Sequence, residues 1–225
     1  TNDRRQRQMC IRDSNTILIF ITDNGSAMGK HKSKKINPYN AGLRGKKNSE
    51  YDGGHRVPFF IRWKNGNIEA GRDISQITSH IDVLPTLIDL CNLEDKDQTL
   101  FDGKSLIPLL NNESQRWSDR ILITDSQRLQ HPIKWRKSAV MSDKYRLVNG
   151  TELYNITDDP SQQNDIAEQH PEIVNQYREV YEVWWTDVSE RFDEYAGIII
   201  GSKIENPVHI TSHDWHSESQ VPWHQ

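Results

Sequence analysis

The sequence predicts an α/β chain in two parts, and three observations carry that prediction. A β-branched run, Thr16 to Thr22, ends on Asp23-Asn24-Gly25 and reads as a strand feeding a loop at its carboxyl end. The stretch Ile81 to Leu90 repeats apolar residues at helical spacing. Beyond residue 115, short strand candidates follow one another closely and give way to a long amphipathic helix, the pattern of a small antiparallel sheet backed by one helix.

Taken in order, residues Asn2 to Arg12 are polar and read as the end of a helix, and Asp13-Ser14-Asn15 turns the chain into the first strand. The unbroken apolar character of Ile17 to Ile21 assigns that strand to a buried position. Ser26 to Gly54 has no hydrophobic period, only Gly, Lys, Asn and Ser, and a loop of that length in a compact domain is usually functional. Val57 to Trp63 is a second strand. The next helix presents Ile81, Leu84, Leu87 and Ile88 on one face, with Ser79 as its N-cap and Pro85 in the first turn, where a missing N–H costs little. An Asp- and Asn-containing loop leads to Leu106-Ile107-Pro108-Leu109-Leu110, and Asn111 to Gln115 reads as a linker.

The second part begins there. Strands are expected at Ile121 to Thr124, Ser138 to Met141, Tyr145 to Val148 and Glu152 to Tyr154, with Asn149-Gly150 as a hairpin turn. Pro171 to Phe192 follows as a helix whose Ile173, Tyr177, Val180, Val183, Trp184 and Val188 form one face able to cover that sheet. The organisation expected is therefore 1–115, 116–196 and a His- and Trp-rich extension at 197–225.

Composition narrows the function. Hydrophobic residues make up 34% of 225 residues and the mean hydropathy is −0.81, so no stretch approaches the roughly 20 apolar residues of a membrane span. Charged residues reach 27% with both signs interspersed and a net charge of −4, which gives no basic field to hold a nucleic-acid backbone. Neither a membrane nor a nucleic acid is an expected partner. Cys10 and Cys91 show no CxxC or Cys/His spacing, so they are expected to be buried thiols and not zinc ligands.

Two constellations carry chemistry. Asp23 and Asn24 are adjacent oxygen donors at a strand end, and Gly25 lets the backbone turn sharply enough for both side chains to face one hard cation. The same tripeptide is also a common turn, and two donors leave most of the six to eight oxygens of a calcium shell to be found elsewhere. The second constellation runs from Leu43-Arg44-Gly45-Lys46-Lys47 through Asp52-Gly53-Gly54-His55-Arg56-Val57-Pro58, a basic, Gly-containing loop entering a strand. Such a loop can present an ammonium to an oxyanion, or it can be a solvated charged loop.

In order, Thr22-Asp23-Asn24-Gly25, Arg44-Gly45-Lys46-Lys47 and Asp52-Gly53-Gly54-His55-Arg56-Val57-Pro58-Phe59 resemble the type I sulfatases of the alkaline phosphatase-like superfamily. His80-Ile81-Asp82-Val83-Leu84-Pro85-Thr86-Leu87, Asp102-Gly103-Lys104-Ser105-Leu106, Lys144-Tyr145-Arg146-Leu147 and Glu152-Leu153-Tyr154-Asn155 through Asp159-Pro160 extend the resemblance over about residues 10 to 190. The resemblance implies hydrolysis of sulfate esters, possible sulfated polysaccharide substrates, and a large mixed α/β sheet followed by a small antiparallel sheet with a C-terminal helix. It implies calcium ligation by Asp23 and Asn24, and contact of Lys47, a better match than Lys46, with the sulfate group as a catalytic and substrate-binding residue. A periplasmic or secreted location rests on the resemblance alone.

The departures matter equally. Type I sulfatases use a formylglycine made from Cys or Ser in a Cys/Ser-x-Pro/Ala-x-Arg motif, and neither Cys10-Ile11-Arg12 nor Cys91-Asn92-Leu93 fits it. The early aspartate pair of the calcium shell and the family's middle Lys and His segment are also missing. The expectation that follows is a C-terminal-side piece of such an enzyme, inactive alone.

Other histidines divide. His213 and His216, beside Trp215 and Trp223, form a polar-aromatic cluster that could bind a sugar or belong to a packed tail. His55 and His80 flank element starts and are expected to serve structure. Two other functions compete: a phosphate- or phosphonate-ester hydrolase of the same superfamily, and a non-catalytic module holding a glycan on the Trp-rich tail. In the resemblance, relatives that bind two zinc ions carry Asp-His where this chain has Asp23-Asn24.

Overall fold

The computed structural model describes residues 15–27, 39–66, 68–94, 100–127, 129 and 131–194, together with the backbone of 198–200 and 208–210. Strand β1 (Leu18–Ile21) pairs antiparallel with β2 (Phe59–Arg62), Leu18 opposite Arg62 and Ile21 opposite Phe59. Phe59 and Ile61 pack against Leu106, Leu109 and Leu110, which lead into and form the short helix α3 (Ile107–Leu110). The other face of the pair stays open, with Leu18 60% and Phe20 57% exposed. The strand expected to be buried is only half-buried, and on alternate residues, Ile19 and Ile21. Its run of unbroken apolar side chains gives no alternation by which one face could be told from the other.

The loop after β1 ends in an element the sequence did not announce, one turn of helix, α1 (Asp52–His55), placed directly before β2. Helix α2 (Val83–Leu90) is entered through a 3₁₀ turn at His80–Asp82. Ser79 occupies the N-cap of that turn, and its backbone N–H donates to Asp82 Oδ2 at 2.7 Å. Asp82 is fully buried, and its Oδ1 accepts from the Lys104 N–H and the Arg120 guanidinium, both at 2.8 Å. The Thr86 hydroxyl donates to the Asp82 carbonyl and accepts from the Leu106 N–H, so one acidic residue ties α2 to the segment entering α3. Cys91 caps the end of α2 and is exposed, which corrects the expectation of a buried thiol; Cys10 lies outside the described residues. No helix among the described residues is long and apolar enough to cross a membrane.

Strands β3 (Leu122–Asp125), β4 (Ser138–Met141), β5 (Tyr145–Val148) and β6 (Glu152–Asn155) form an antiparallel meander in sequential order. The β5–β6 turn is the expected one: Asn149 at φ 50° and Gly150 at φ 71° supply the two left-handed conformations that suit a tight hairpin. Val140, Leu147 and Leu153 on one face meet Val174, Tyr177 and Tyr181 of helix α4 (Pro171–Ser189). The buried stripe of α4 is therefore displaced from the face expected, and Val183 points outward at 75% exposure. Trp185 joins the expected Trp184 against the core in place of Val183, and Trp135 stacks on Tyr181 with ring centroids 3.7 Å apart. The opposite face, Ala139, Val148 and Tyr154, packs against Tyr51 and Met141. Leu147 is fully buried at the centre of the meander, and Leu147→Ala is expected to lower the unfolding free energy by about 2–5 kcal/mol in denaturant titration. Backbone strands β7 (Ile198–Ile200) and β8 (Val208–Ile210) pair with each other.

Candidate functional site

Strand β1 delivers Asp23 and Asn24 to its carboxyl end, and residues 44–54 further along the chain return to the same place. Two backbone hydrogen bonds make the junction: the Gly25 N–H donates to the Gly54 carbonyl at 2.9 Å, and the Lys47 N–H donates to the Ser26 carbonyl at 3.1 Å. The Lys47 backbone therefore stands beside the turn that follows Asp23 and Asn24.

Glycines let these backbones approach so closely. A Cβ on Gly25 would lie 2.0 Å from the Gly53 carbonyl oxygen, and one on Gly53 would lie 2.5 Å from that of Gly45. Both atoms are backbone and neither can swing aside, so any side chain here forces the strands of the junction apart. The Gly53-Gly54 pair is buried and helical, and the Gly53 N–H donates to the Arg44 carbonyl at 2.8 Å.

Lys47 itself sits at the bend of a tight turn. The Ser49 N–H donates to the Lys46 carbonyl at 2.8 Å, and Asn48 takes the left-handed φ of 68° that the third position requires. Lys46 is exposed and Lys47 half-buried. The loop is bound from below by Asp52, fully buried, whose Oδ1 accepts from Arg146 Nε of β5 at 2.9 Å. The Asp52 N–H donates to Gln162 Oε1 at 2.8 Å, and Arg56 adds a contact of 3.6 Å to the other carboxylate oxygen.

Asn24 bears on the metal question directly. Its Oδ1 is buried and has no hydrogen-bond partner among the described residues, a costly arrangement for an amide oxygen unless a cation or further group meets it. Asp23 next to it is exposed. An acceptor left open beside a carboxylate fits a hard cation in donor type. Among the described residues no group of three or more His, Cys, Asp or Glu residues converges, so Asp23 and Asn24 could supply only part of a cation's shell.

The neighbouring histidines are held by backbone. His80 Nε2–H donates to the Thr22 carbonyl at 2.7 Å, fastening the start of the α2 segment to the end of β1. His55 Nε2–H donates to the Glu50 carbonyl at 3.1 Å, and burial pushes its pKa down, which keeps the ring neutral and in that tautomer. Both serve structure, as expected. His213 and His216 lie outside the described residues. Cys91 lines a cavity with Asn15, Thr16 and Ile17, at the end of β1 away from Asp23, so its thiol does not face the junction.

Sequence reasoning singled out Asp23, Asn24 and Lys47 but missed Asp52, Arg146 and Gln162. The run Asp52-Gly53-Gly54-His55-Arg56 was visible as a motif, whereas nothing local could pair Asp52 with a residue 94 positions away.

Comparisons with known proteins bear on the family and the fold. Residues 11–93 match the family model described as Sulfatase. Steryl-sulfatase from Homo sapiens is 31% identical over 124 residues, covering 54% of this chain and 21% of that protein. The N-acetylgalactosamine-6-O-sulfatase of Bacteroides thetaiotaomicron is 26% identical over 193 residues, 75% of this chain and 36% of its own length. The chain thus spans about a fifth to a third of these relatives. Among solved structures, Ps i-CgsB superposes with a TM-score of 0.62 at 22% identity, covering 80% of this chain and 39% of that one. The phosphonate monoester hydrolase of Agrobacterium radiobacter gives a TM-score of 0.54 at 19% identity, covering 93% and 42%. The alkaline phosphatase-like fold expected from the sequence is borne out by these superpositions.

Proposed function

We propose, from the match of residues 11–93 to the sulfatase family model, that the protein hydrolyses sulfate esters and that the β1 junction is where this chain meets the sulfate group. The observation that carries the reading is the unpartnered, buried Asn24 Oδ1 standing on the same backbone junction as Lys47. In this reading Asp23 and Asn24 are two ligands of a calcium ion, and the Lys47 ammonium lies against a sulfate oxygen. The bound calcium would draw the sulfate oxygens to one side and offset their charge.

The chain's own residues then have separable tasks. Lys47 holds positive charge where negative charge grows as the ester bond lengthens, and the half-buried loop strengthens that attraction by keeping water away from part of it. Asn24 presents to the metal an amide oxygen that has no competing hydrogen bond among the described residues. The described residues contain no group suited to become the formylglycine nucleophile, since Cys91 faces away from the junction and does not fit the formylglycine motif. Sulfated carbohydrate is the favoured substrate class, supported by the relative named as an N-acetylgalactosamine-6-O-sulfatase, whose alignment covers 75% of this chain.

The likeness to a phosphonate monoester hydrolase favours a second reading, cleavage of phosphonate or phosphate esters on the same fold. Rates on an aryl sulfate and on the matching aryl phosphonate monoester, measured with the intact protein in calcium, separate the two. Sulfate ester turnover is expected to be the faster and to fall on Asp23→Ala; preference for the phosphonate would overturn the sulfatase reading.

A further inference from the structure

We propose that the cluster of Arg44, Tyr51, Glu152 and Tyr154 is a positioning device for Lys47, built by the C-terminal sheet and acting on the loop that carries the lysine. The inference rests on the role given to Lys47 above.

The geometry is a clasp. Arg44 and Tyr51 stand at the two feet of the Lys47 turn, and the Arg44 guanidinium lies 3.7 Å from the centroid of the Tyr51 ring, joining one foot to the other. Both feet then reach β6. Arg44 Nη1 donates to the Tyr154 hydroxyl and to the Gln162 carbonyl, each at 3.0 Å, and lies 3.9 Å from Glu152 Oε2. The Tyr51 hydroxyl donates to the same Glu152 oxygen at 2.8 Å, and the Tyr154 hydroxyl donates to it as well. A single carboxylate oxygen thus gathers two phenols and one guanidinium. Flanking bonds follow the same direction: Asn149 Nδ2 to Glu50 Oε1 at 3.2 Å and Lys137 Nζ to the Asn48 carbonyl at 3.4 Å.

Burial and the hydrogen bond to Glu152 push the Tyr154 hydroxyl up to about 12 and raise that of Tyr51 further, so both remain protonated donors at any ordinary assay pH. The clasp therefore does not open by titration of its phenols.

Two observations separate positioning from plain stability. Arg44 and Glu152 keep 39% and 31% of their side chains exposed, so their attraction is screened and adds little to the folding free energy. The loop's structural anchor is elsewhere, in the buried Asp52–Arg146 pair. What the clasp adds is restriction: with both feet held, the turn at Lys46–Ser49 has one place to stand against Ser26. A displacement of about 1 Å in a positioned charge can cost about 10²-fold in rate.

The test uses Tyr51→Phe and Glu152→Gln in the intact protein, each alone and combined with Lys47→Ala. Each single change is expected to lower kcat for an aryl sulfate by about tenfold with KM nearly unchanged and Tm shifted by less than about 2 °C. In the Lys47→Ala background the same change should cost less than about twofold, because no positioned ammonium is left to misplace. Hydrogen exchange should quicken in peptides covering 44–51 and stay constant across β4 and β5. An equal fold-loss with and without Lys47, or a rate loss that merely follows a fall in Tm, would overturn the clasp and leave the function of Lys47 standing. Unchanged turnover in Lys47→Ala alone would instead overturn the reading of Lys47, and this inference with it.

Discussion

Asp52→Ala is expected to lower the unfolding free energy by about 3–5 kcal/mol, the cost typical of removing one partner from a buried ion pair. Asp52 and Arg146 keep only 1% and 7% of their side chains exposed, and the guanidinium has a single carboxylate partner among the described residues. Without it Arg146 would be left charged and desolvated between the sheet and the loop. The change also removes the contact to Arg56 and loosens the helical turn that carries Gly53 and Gly54. Denaturant titration followed by fluorescence checks the size, and Arg146→Met should lose a similar amount for the complementary reason. A change below about 1 kcal/mol for both would mean that the pair is solvated and does not secure the loop.

The second large effect concerns rate. Lys47→Ala is expected to reduce kcat for an aryl sulfate by about 10²–10³, the range found when one pre-organised donor to a growing negative charge is deleted. Tm should hardly move, since the Lys47 backbone bond to Ser26 survives the substitution. Lys46→Ala serves as the comparison: its side chain is exposed, and its removal should leave turnover near that of the unaltered protein. Steady-state kinetics on the two variants decides which lysine of the pair acts.

How much of this was legible depends on whether the information is local. The hairpin at Asn149-Gly150 was readable because the turn needs positive φ at both positions and those residue types supply it. Helix α4 was readable as an element, but its buried stripe was not: apolar residues nearly encircle its second half, and the sheet selects Tyr177 and Tyr181 and leaves Val183 in solvent. Helix α1 contradicts local preference outright. Gly53-Gly54 is a poor helical sequence, and the turn forms there because only a residue without a side chain fits beneath the carbonyls of Arg44, Gly45 and Ser49. The candidate site divides in the same way. Asp23, Asn24 and Lys47 were recognisable from their motifs, whereas the residues that brace the Lys47 loop belong to strands 100 residues further on, as with Tyr51 and Glu152, whose separation is 101. Long-range pairs of this kind leave no periodicity or spacing in a single sequence.

The calcium dependence of aryl sulfate turnover tests the central claim most directly, measured for the intact protein and for Asn24→Ala and Lys47→Ala. If Asn24 is a metal ligand and Lys47 a charge on the sulfate, Asn24→Ala should raise the calcium concentration for half-maximal rate by tenfold or more, equivalent to about 1.4 kcal/mol. Lys47→Ala should lower the maximal rate at an unchanged calcium midpoint. A calcium midpoint that stays the same in Asn24→Ala would contradict the account, since the buried amide oxygen at the end of β1 would then be facing something other than the metal.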